Sequence, residues 1–308
     1  MRLARSLSAA CLFLTALLPA QEAIRHRFVA TDESGQQVLL VDEAQPEKGW
    51  VVKQSARDLQ LIGTNRVMVS VNNGFLELDL ATGEIGRRVE VAGFKRVMTA
   101  RRMPDGTTYL GGYAPGGIAI VQVDAAGKTL RTIACPAEIK NIRLMRRTAA
   151  GTTLLGSDKG VYEVSDEGTI LWQQPVPGGN HVYKAVRLPS GSTFLASGYG
   201  AFLAELAPDG TVVRTFGQKE GQKVKAPKFF ADFQLLANGN VMAVNWMGHK
   251  REDSEQGQQL AEYSPAGDLV WTWHDAKLVG CLHGAILLDG LDTSKLHTEL
   301  TGTLKPVE

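Results

Sequence analysis

The sequence predicts an all-β protein, a six-bladed β-propeller with four-stranded antiparallel blades. Three observations predict it. A glycine- or asparagine-centred turn between two apolar runs recurs every 40–51 residues, at Asn65, Gly106, Gly151, Gly191, Gly239 and Gly290. A second turn follows within each complete unit, and the two ends of the chain carry complementary fragments of one further unit. A repeat of about 40–50 residues holding four strand-like segments is the period of a propeller blade.

The chain opens on a targeting pattern. Met1-Arg2-Leu3-Ala4-Arg5 is basic, Leu7 to Leu18 is apolar, and Pro19-Ala20 offers small residues before the polar Gln21-Glu22. This order is that of a secretory signal peptide spanning residues 1–20, with cleavage near Ala20. The expectation is export, to a periplasm or out of the cell. The apolar run is shorter than the ~20 residues that span a bilayer, and no later segment approaches that length, so no transmembrane anchor is expected.

After the signal the sequence begins in mid-blade. Phe28–Thr31, Gln37–Val41 and Trp50–Val52 read as second, third and fourth strands, with a turn at Ser34-Gly35. Five complete units follow, whose second turns are Thr82-Gly83, Ala126-Gly127, Glu167-Gly168, Asp209-Gly210 and Ala266-Gly267. Alternating apolar strands flank them, such as Phe202 to Leu206 and Leu269 to Trp273. The last unit supplies a first strand alone, Leu282 to Leu288. Pairing it with the N-terminal strands completes a sixth blade and removes the free edge that an open array would leave. The expected organisation is a single propeller over 24–295 followed by a C-terminal tail, 296–308.

Composition agrees with one large core. Apolar residues make up 44% and charged residues 21%, ample for a packed interior. Lys plus Arg total 33 against 32 for Asp plus Glu, a balance that excludes a dedicated nucleic-acid binder. A monomer is expected. Cys135 and Cys281 are too far apart in sequence for a disulfide framework and read as two separate buried thiols.

The units resemble pyrroloquinoline-quinone-type propeller repeats and the related bacterial arylsulfotransferase propellers. Asp79-Leu80-Ala81-Thr82-Gly83 is similar to the Asp-x-x-Thr-Gly turn of the quinoprotein repeat, and Trp172, Trp271 and Trp273 sit where those families often place a tryptophan. The likeness to the arylsulfotransferases is greatest over Phe230 to Asn240, where that family typically shows His-Asp. Here Ala231 stands at the histidine position, beside Asp232. The resemblance implies a propeller scaffold and leaves the chemistry open.

In a propeller the first strand of each blade lines the axis, and one mouth is formed by the loops leading into first strands and those joining second to third strands. Counting back seven residues from each first turn gives Asp58, Thr99, Leu144, Lys184, Asp232 and His283 as equivalent axial positions. Neighbouring loops carry Arg96, Asn141, Arg143, His181 and Tyr183. The second-to-third-strand loops add Tyr113, Asp158, Tyr199, Asn245, Trp246 and His249. Two functions follow. One is a module binding a small molecule or a partner protein at the axial mouth through Asp58, Arg143, Tyr113, Tyr199, Asn245, Trp246 and His249. The other is a hydrolase or an arylsulfotransferase-like enzyme with Asp232, His283, Lys184 and His181 as catalytic candidates, a carboxylate and imidazoles serving as base and acid. The dispersed His and Asp positions lack metal-ligand spacing, so no metal is expected, and the sequence requires no cofactor. The segment from Gly248 to Gln259, longer and more charged than its counterparts, reads as a solvated insertion, with a lid or contact surface over the mouth as the functional alternative.

Overall fold

The computed structural model describes residues 23–158 and 160–307. The signal-peptide expectation for residues 1–20 falls outside them. The described residues form six four-stranded antiparallel sheets, each ordered from first to fourth strand. Blade 1 comprises Leu59–Gly63, Arg66–Val71, Gly74–Asp79 and Ile85–Glu90. Blade 2 comprises Arg96–Arg102, Thr108–Ala114, Gly117–Val123 and Thr129–Ala134, and blade 3 Met145–Arg147, Thr153–Gly156, Gly160–Val164 and Ile170–Pro175. Blade 4 runs through Lys184–Arg187, Thr193–Ala196, Leu203–Leu206 and Val212–Phe216, and blade 5 through Phe230–Leu235, Val241–Asn245, Leu260–Tyr263 and Leu269–Trp273. Blade 6 joins Leu282–Leu287 to Arg27–Asp32, Gln37–Asp42 and Trp50–Lys53.

Each first strand touches the first strand of the next blade, and the circuit closes from blade 6 to blade 1. The closing register sets Phe28 against Leu287, Val29 against Ile286 and Ala30 against Ala285. The first strands are buried almost throughout, whereas fourth strands such as Thr129–Ala134 are largely exposed. Inner strands therefore line the axis and outer strands meet solvent. Six apolar clusters fill the six blade interfaces in turn. Trp271 and Trp273 pack in the interface of blades 5 and 6, edge-on to Phe28, which accounts for tryptophan at that strand position.

The turn chemistry explains the repeat. Gly106 and Gly239 hold φ of +82° and +86°, which L side chains rarely adopt. Asp105 accepts a hydrogen bond from the Thr107 N–H and Asn238 from the Asn240 N–H, an Asx turn at each. In the Asp79–Gly83 turn, one Asp79 oxygen accepts from the Ala81 and Thr82 N–H groups and the Thr82 hydroxyl. The quinoprotein-like pentapeptide is thus a self-capped turn. Blade 1 departs from the pattern: Thr64 and Asn65 take φ of +49° and +55° without glycine. Their N–H groups donate to Ser294 and Thr293 carbonyls, so the segment leading into the tail supports that turn.

The tail crosses the face of the ring opposite the mouth. Leu296 bridges Ile62 of blade 1, Gln60 donates to the His297 carbonyl, and the Ala149 N–H of blade 3 donates to Leu300. His297–Thr298 and Lys305–Pro306 form a short ribbon, and Leu304 enters the cluster between blades 6 and 1. Cys135 lies half-buried in the interface of blades 2 and 3, while Cys281 is buried beneath the mouth. Among the described residues no helix is long and apolar enough to cross a membrane.

His26 braces the closing blade. Its ring nitrogens lie 2.7 Å from Glu262 of blade 5 and 2.8 Å from Asp289, just beyond the closing strand. Burial disfavours the imidazolium, but the hydrogen bonds and charges of Asp289 and Glu262 outweigh it and raise His26 to about 9. A raised histidine stabilises fully below its ordinary value of 6.5 and loses that contribution as pH climbs through the folded value. Stability to urea should therefore fall between pH 6.5 and about 9, and His26→Gln should flatten that slope. Deleting residues 27–53 should abolish cooperative unfolding followed by circular dichroism, because the ring cannot close without those strands.

Candidate functional site

The axial positions divide into two levels. At the lower level, toward the tail, six charged side chains form a closed network. Asp58 receives two hydrogen bonds from Arg146, both 3.1 Å, and lies 3.1 Å from Arg101. The Lys184 ammonium contacts Asp232 at 2.9 Å and Glu299 at 2.6 Å and donates to the Phe233 carbonyl. Glu299, reaching in from the tail, also meets Arg101 at 3.1 Å and Arg146 at 2.5 Å. Thr99 donates to Asp58. Three cations thus face three carboxylates, every side chain at most 7% exposed, and the space left among them is only about 10 Å³.

Local backbone geometry aims these groups. Bulges fall between Val97 and Thr99 and between Phe230 and Asp232, and a bulge re-aims the side chain that follows it. Asp58 and Asp232 both accept the N–H of the residue after them, so the two equivalent positions share one local design. Burial raises the Glu299 carboxyl, but Lys184, Arg146 and Arg101 overcome this and hold it at about 2. Asp232 is raised, burial outweighing Lys184 and Arg146.

The upper level is the mouth. A cavity of about 250 Å³ is lined there by Arg57, Arg96, Arg143, three histidines and an aromatic wall. The wall includes Tyr113, Tyr183, Tyr199, Phe229 and Trp246. His283 lies stacked between Tyr183 and Trp246, each with ring centroids 5.6 Å away and planes 28° and 15° from its own. Phe229 meets Tyr183, Tyr199 and Trp246 edge-on, and a buried cluster of Leu144, Ala231, Met247 and Cys281 supports these rings. Burial, then Arg57, His249, Arg96 and Arg143, pull His283 well below the ordinary histidine value. It is a neutral imidazole in a positive field, and among the described residues its Nδ1 has no hydrogen-bond partner. His181 is lowered by burial and Arg143.

Glu33 organises one side of the mouth. It accepts from the Trp246 indole at 2.9 Å and lies 3.3 Å from His249, 3.6 Å from His283 and 3.7 Å from Arg57. Arg57 also donates to the Tyr183 hydroxyl. Opposite, Asp158 lies 3.8 Å from both Arg143 and His181 and accepts from Asn141, which accepts from Tyr113. Arg96 is exposed and makes no side-chain hydrogen bond or ion pair among the described residues. The segment after Gly248 forms a short helical turn, Arg251–Gln256, and holds His249 edge-on to Trp246 at 4.6 Å.

The residues singled out from the sequence therefore part company. Arg143, Tyr113, Tyr199, Trp246 and His249 line the mouth together with His181 and His283. Lys184 and Asp232 lie in the ion network, in a different cavity from the two histidines, so the structure does not gather the four catalytic candidates into one constellation. Asp58 is held by Arg146 and Arg101 rather than facing the mouth. Asn245 is fully buried, its amide bonded to Lys228 and Phe229 N–H groups and to the Ala226 and Gln258 carbonyls. It pins the loop that presents Phe229. Arg101 and Arg146 follow Thr99 and Leu144 by two residues, the same strand face, so extending the axial count by one step would have found them. Glu33 occupies a second-to-third-strand loop of the composite blade, where the loop rule applies. Arg57 is next to Asp58 in sequence; Glu299 carries no sequence signal. Among the described residues no cluster of three His, Cys, Asp or Glu side chains is set to hold a metal ion.

No protein-family model matches the sequence, and no curated protein matches it. Solved structures do share the fold. A protein of unknown function from Bacteroides caccae superimposes with a TM-score of 0.71 at 19% identity, over 85% of this chain and 98% of that one. Virginiamycin B lyase from Staphylococcus aureus gives 0.52 at 9% identity, over 81% and 84%. Regucalcin, a calcium-binding protein from Agrobacterium tumefaciens, gives 0.52 at 12% identity, over 86% and 92%. At these identities the likeness is one of fold alone.

Removing one member of a buried ion network leaves its partners uncompensated and costs about 3–5 kcal/mol. Glu299→Ala should lower unfolding free energy by about that much in urea titrations at pH 7. A carboxylate held low stabilises above its ordinary value and loses this as pH falls toward the folded value. The wild-type advantage over Glu299→Ala should accordingly shrink from pH 4.5 down to about 2.

Proposed function

We propose that this protein is an exported binding module whose axial mouth holds a small anionic molecule with a flat aromatic part. One observation carries the reading: three arginines, Arg57, Arg96 and Arg143, converge on a cavity walled by aromatic rings. Arginine presents a planar fork suited to carboxylate, sulfate or phosphate. Aromatic walls bury a flat apolar body, and a few placed polar groups fix its orientation. Arg96 has no partner among the described residues and Arg143 meets its carboxylate only at 3.8 Å, so positive charge is left to a ligand. The depressed His283 is consistent with that field. A cavity of about 250 Å³ suits a single substituted ring.

The blind lower end supports binding from the mouth side alone. Lys184 is satisfied by Asp232 and Glu299, and Asp232 by Lys184 and the Phe233 N–H, and Ala231 stands where arylsulfotransferase propellers typically carry histidine. Hydrolytic or sulfotransferase-like chemistry at the axis therefore forms no part of the proposal. The resemblance to quinoprotein repeats extends to turn and strand chemistry, and the reading takes no quinone from it.

Calorimetric titration with 4-nitrobenzoate, 4-nitrophenyl sulfate and the uncharged 4-nitrobenzamide tests the reading. The two anions should bind at least tenfold more tightly than the amide. Arg143→Met should weaken them by about tenfold or more, the value of a charged hydrogen bond, with the unfolding midpoint little changed. Equal binding of anion and amide, or an Arg143→Met variant with undiminished affinity, would overturn it.

A further inference from the structure

A second cavity of about 290 Å³ adjoins the mouth, and the two share Glu33, Arg57, Arg96 and His249 as their common wall. It lies between the closing blade and blade 1, and its lining is of another kind. Gln36, Ser55, Ser70 and Asn72 contribute amides and hydroxyls, Ala56, Val71 and Val97 are small, and among the described residues no Phe, Tyr or Trp ring lines it. Ser70 is engaged, accepting from the Asp58 N–H and donating to the Met98 carbonyl. The side chains of Gln36, Ser55 and Asn72 are exposed and make no hydrogen bond among the described residues.

We infer that the groove is a subsite for a neutral, hydroxyl-rich portion of the ligand, so that the full ligand is an acidic aryl glycoside. This rests on the reading of the mouth as an aromatic-anion site and adds the class of molecule that fills both spaces. The argument is one of order. Along the path from one cavity to the other the wall runs from aromatic rings, through a border of Arg57, Arg96, His249 and Glu33, the carboxylate being held by the Trp246 indole, to neutral amides and hydroxyls. A ligand matching it carries an aromatic ring, then an anionic group, then hydroxyls able both to donate and to accept. In an aryl glycoside of a uronic acid, C1 and C5 flank the ring oxygen, so the carboxylate on C5 lies beside the aryl linkage. The sugar hydroxyls then extend away from it. Amides and hydroxyls are the side chains that can serve as donor and acceptor at once, which a sugar requires and an inorganic anion does not. Guanidinium at the border suits the carboxylate better than ammonium, because its planar fork binds both oxygens.

The experiment compares 4-nitrophenyl β-D-glucuronide with 4-nitrophenyl sulfate, on the full chain and on an Asn72→Leu/Ser55→Leu variant. Both substituted side chains are exposed, and circular dichroism with the urea midpoint verifies that the variant is folded. The glucuronide is expected to bind at least tenfold more tightly than the sulfate. The variant should lose that advantage while binding the sulfate as before. A glucuronide no tighter than the sulfate, or a variant that weakens both ligands equally or neither, overturns the subsite. Sulfate binding that persists in those cases leaves the aromatic-anion mouth standing. Failure of both ligands to bind the unaltered chain overturns the two readings together.

Discussion

Everything in this molecule depends on one pairing, between the strand Leu282–Leu287 and the strand Arg27–Asp32. A propeller blade is buried on both faces by its neighbours, so an unclosed array would leave two blade faces wet. Closure here is non-covalent and is made of antiparallel ladder bonds together with the apolar contacts on either side of blade 6. Its reach extends beyond stability. The closing blade brings Glu33 to the mouth, where it meets Trp246 and His249 from a blade 5 loop and Arg57 from the start of blade 1. A site that no local segment contains is assembled by the same contact that shuts the ring.

The interior separates two uses of charge. At the lower level three cations and three carboxylates neutralise one another, every group drawn from a different blade or from the tail. Buried charge of this kind is weak evidence for stability, and its six partners hold five blades and the tail in one mutual arrangement. At the upper level the balance is broken in favour of arginine, and the aromatic rings around His283 lower the local polarity so that the imbalance is felt. The contrast between a sealed neutral network and an open positive cavity, stacked along one axis, is what gives the molecule a front and a back.

The sequence made the scaffold legible and the site only partly so, for physical reasons. Turn geometry is local: Gly106, Gly239 and the Asp79–Gly83 turn must have their conformation whatever surrounds them, so the repeat shows through. Ring closure was legible because the fragments at the two ends complete one four-stranded unit. Alternation also placed Lys184, Asp232 and His283 on the axial strands. It could not assign them to a level, because height along the axis depends on bulges such as the one before Asp232. It gave no warning of Glu299, whose position is set by the packing of a tail without repeat character. Asn245 shows a related effect: its loop faces the mouth, but its short polar side chain is drawn inward to backbone groups of Lys228, Phe229, Ala226 and Gln258.

The tail under the ring has a kinetic meaning. With Glu299 and its partners filling the axis, the propeller is a cup and not a tube. A molecule entering the mouth must leave by the route it came, and it competes on that route with the next arrival. Entry and release then share one set of obstacles, among them the His249 loop at the rim. For such a ligand, residence time would be set by the rim loops.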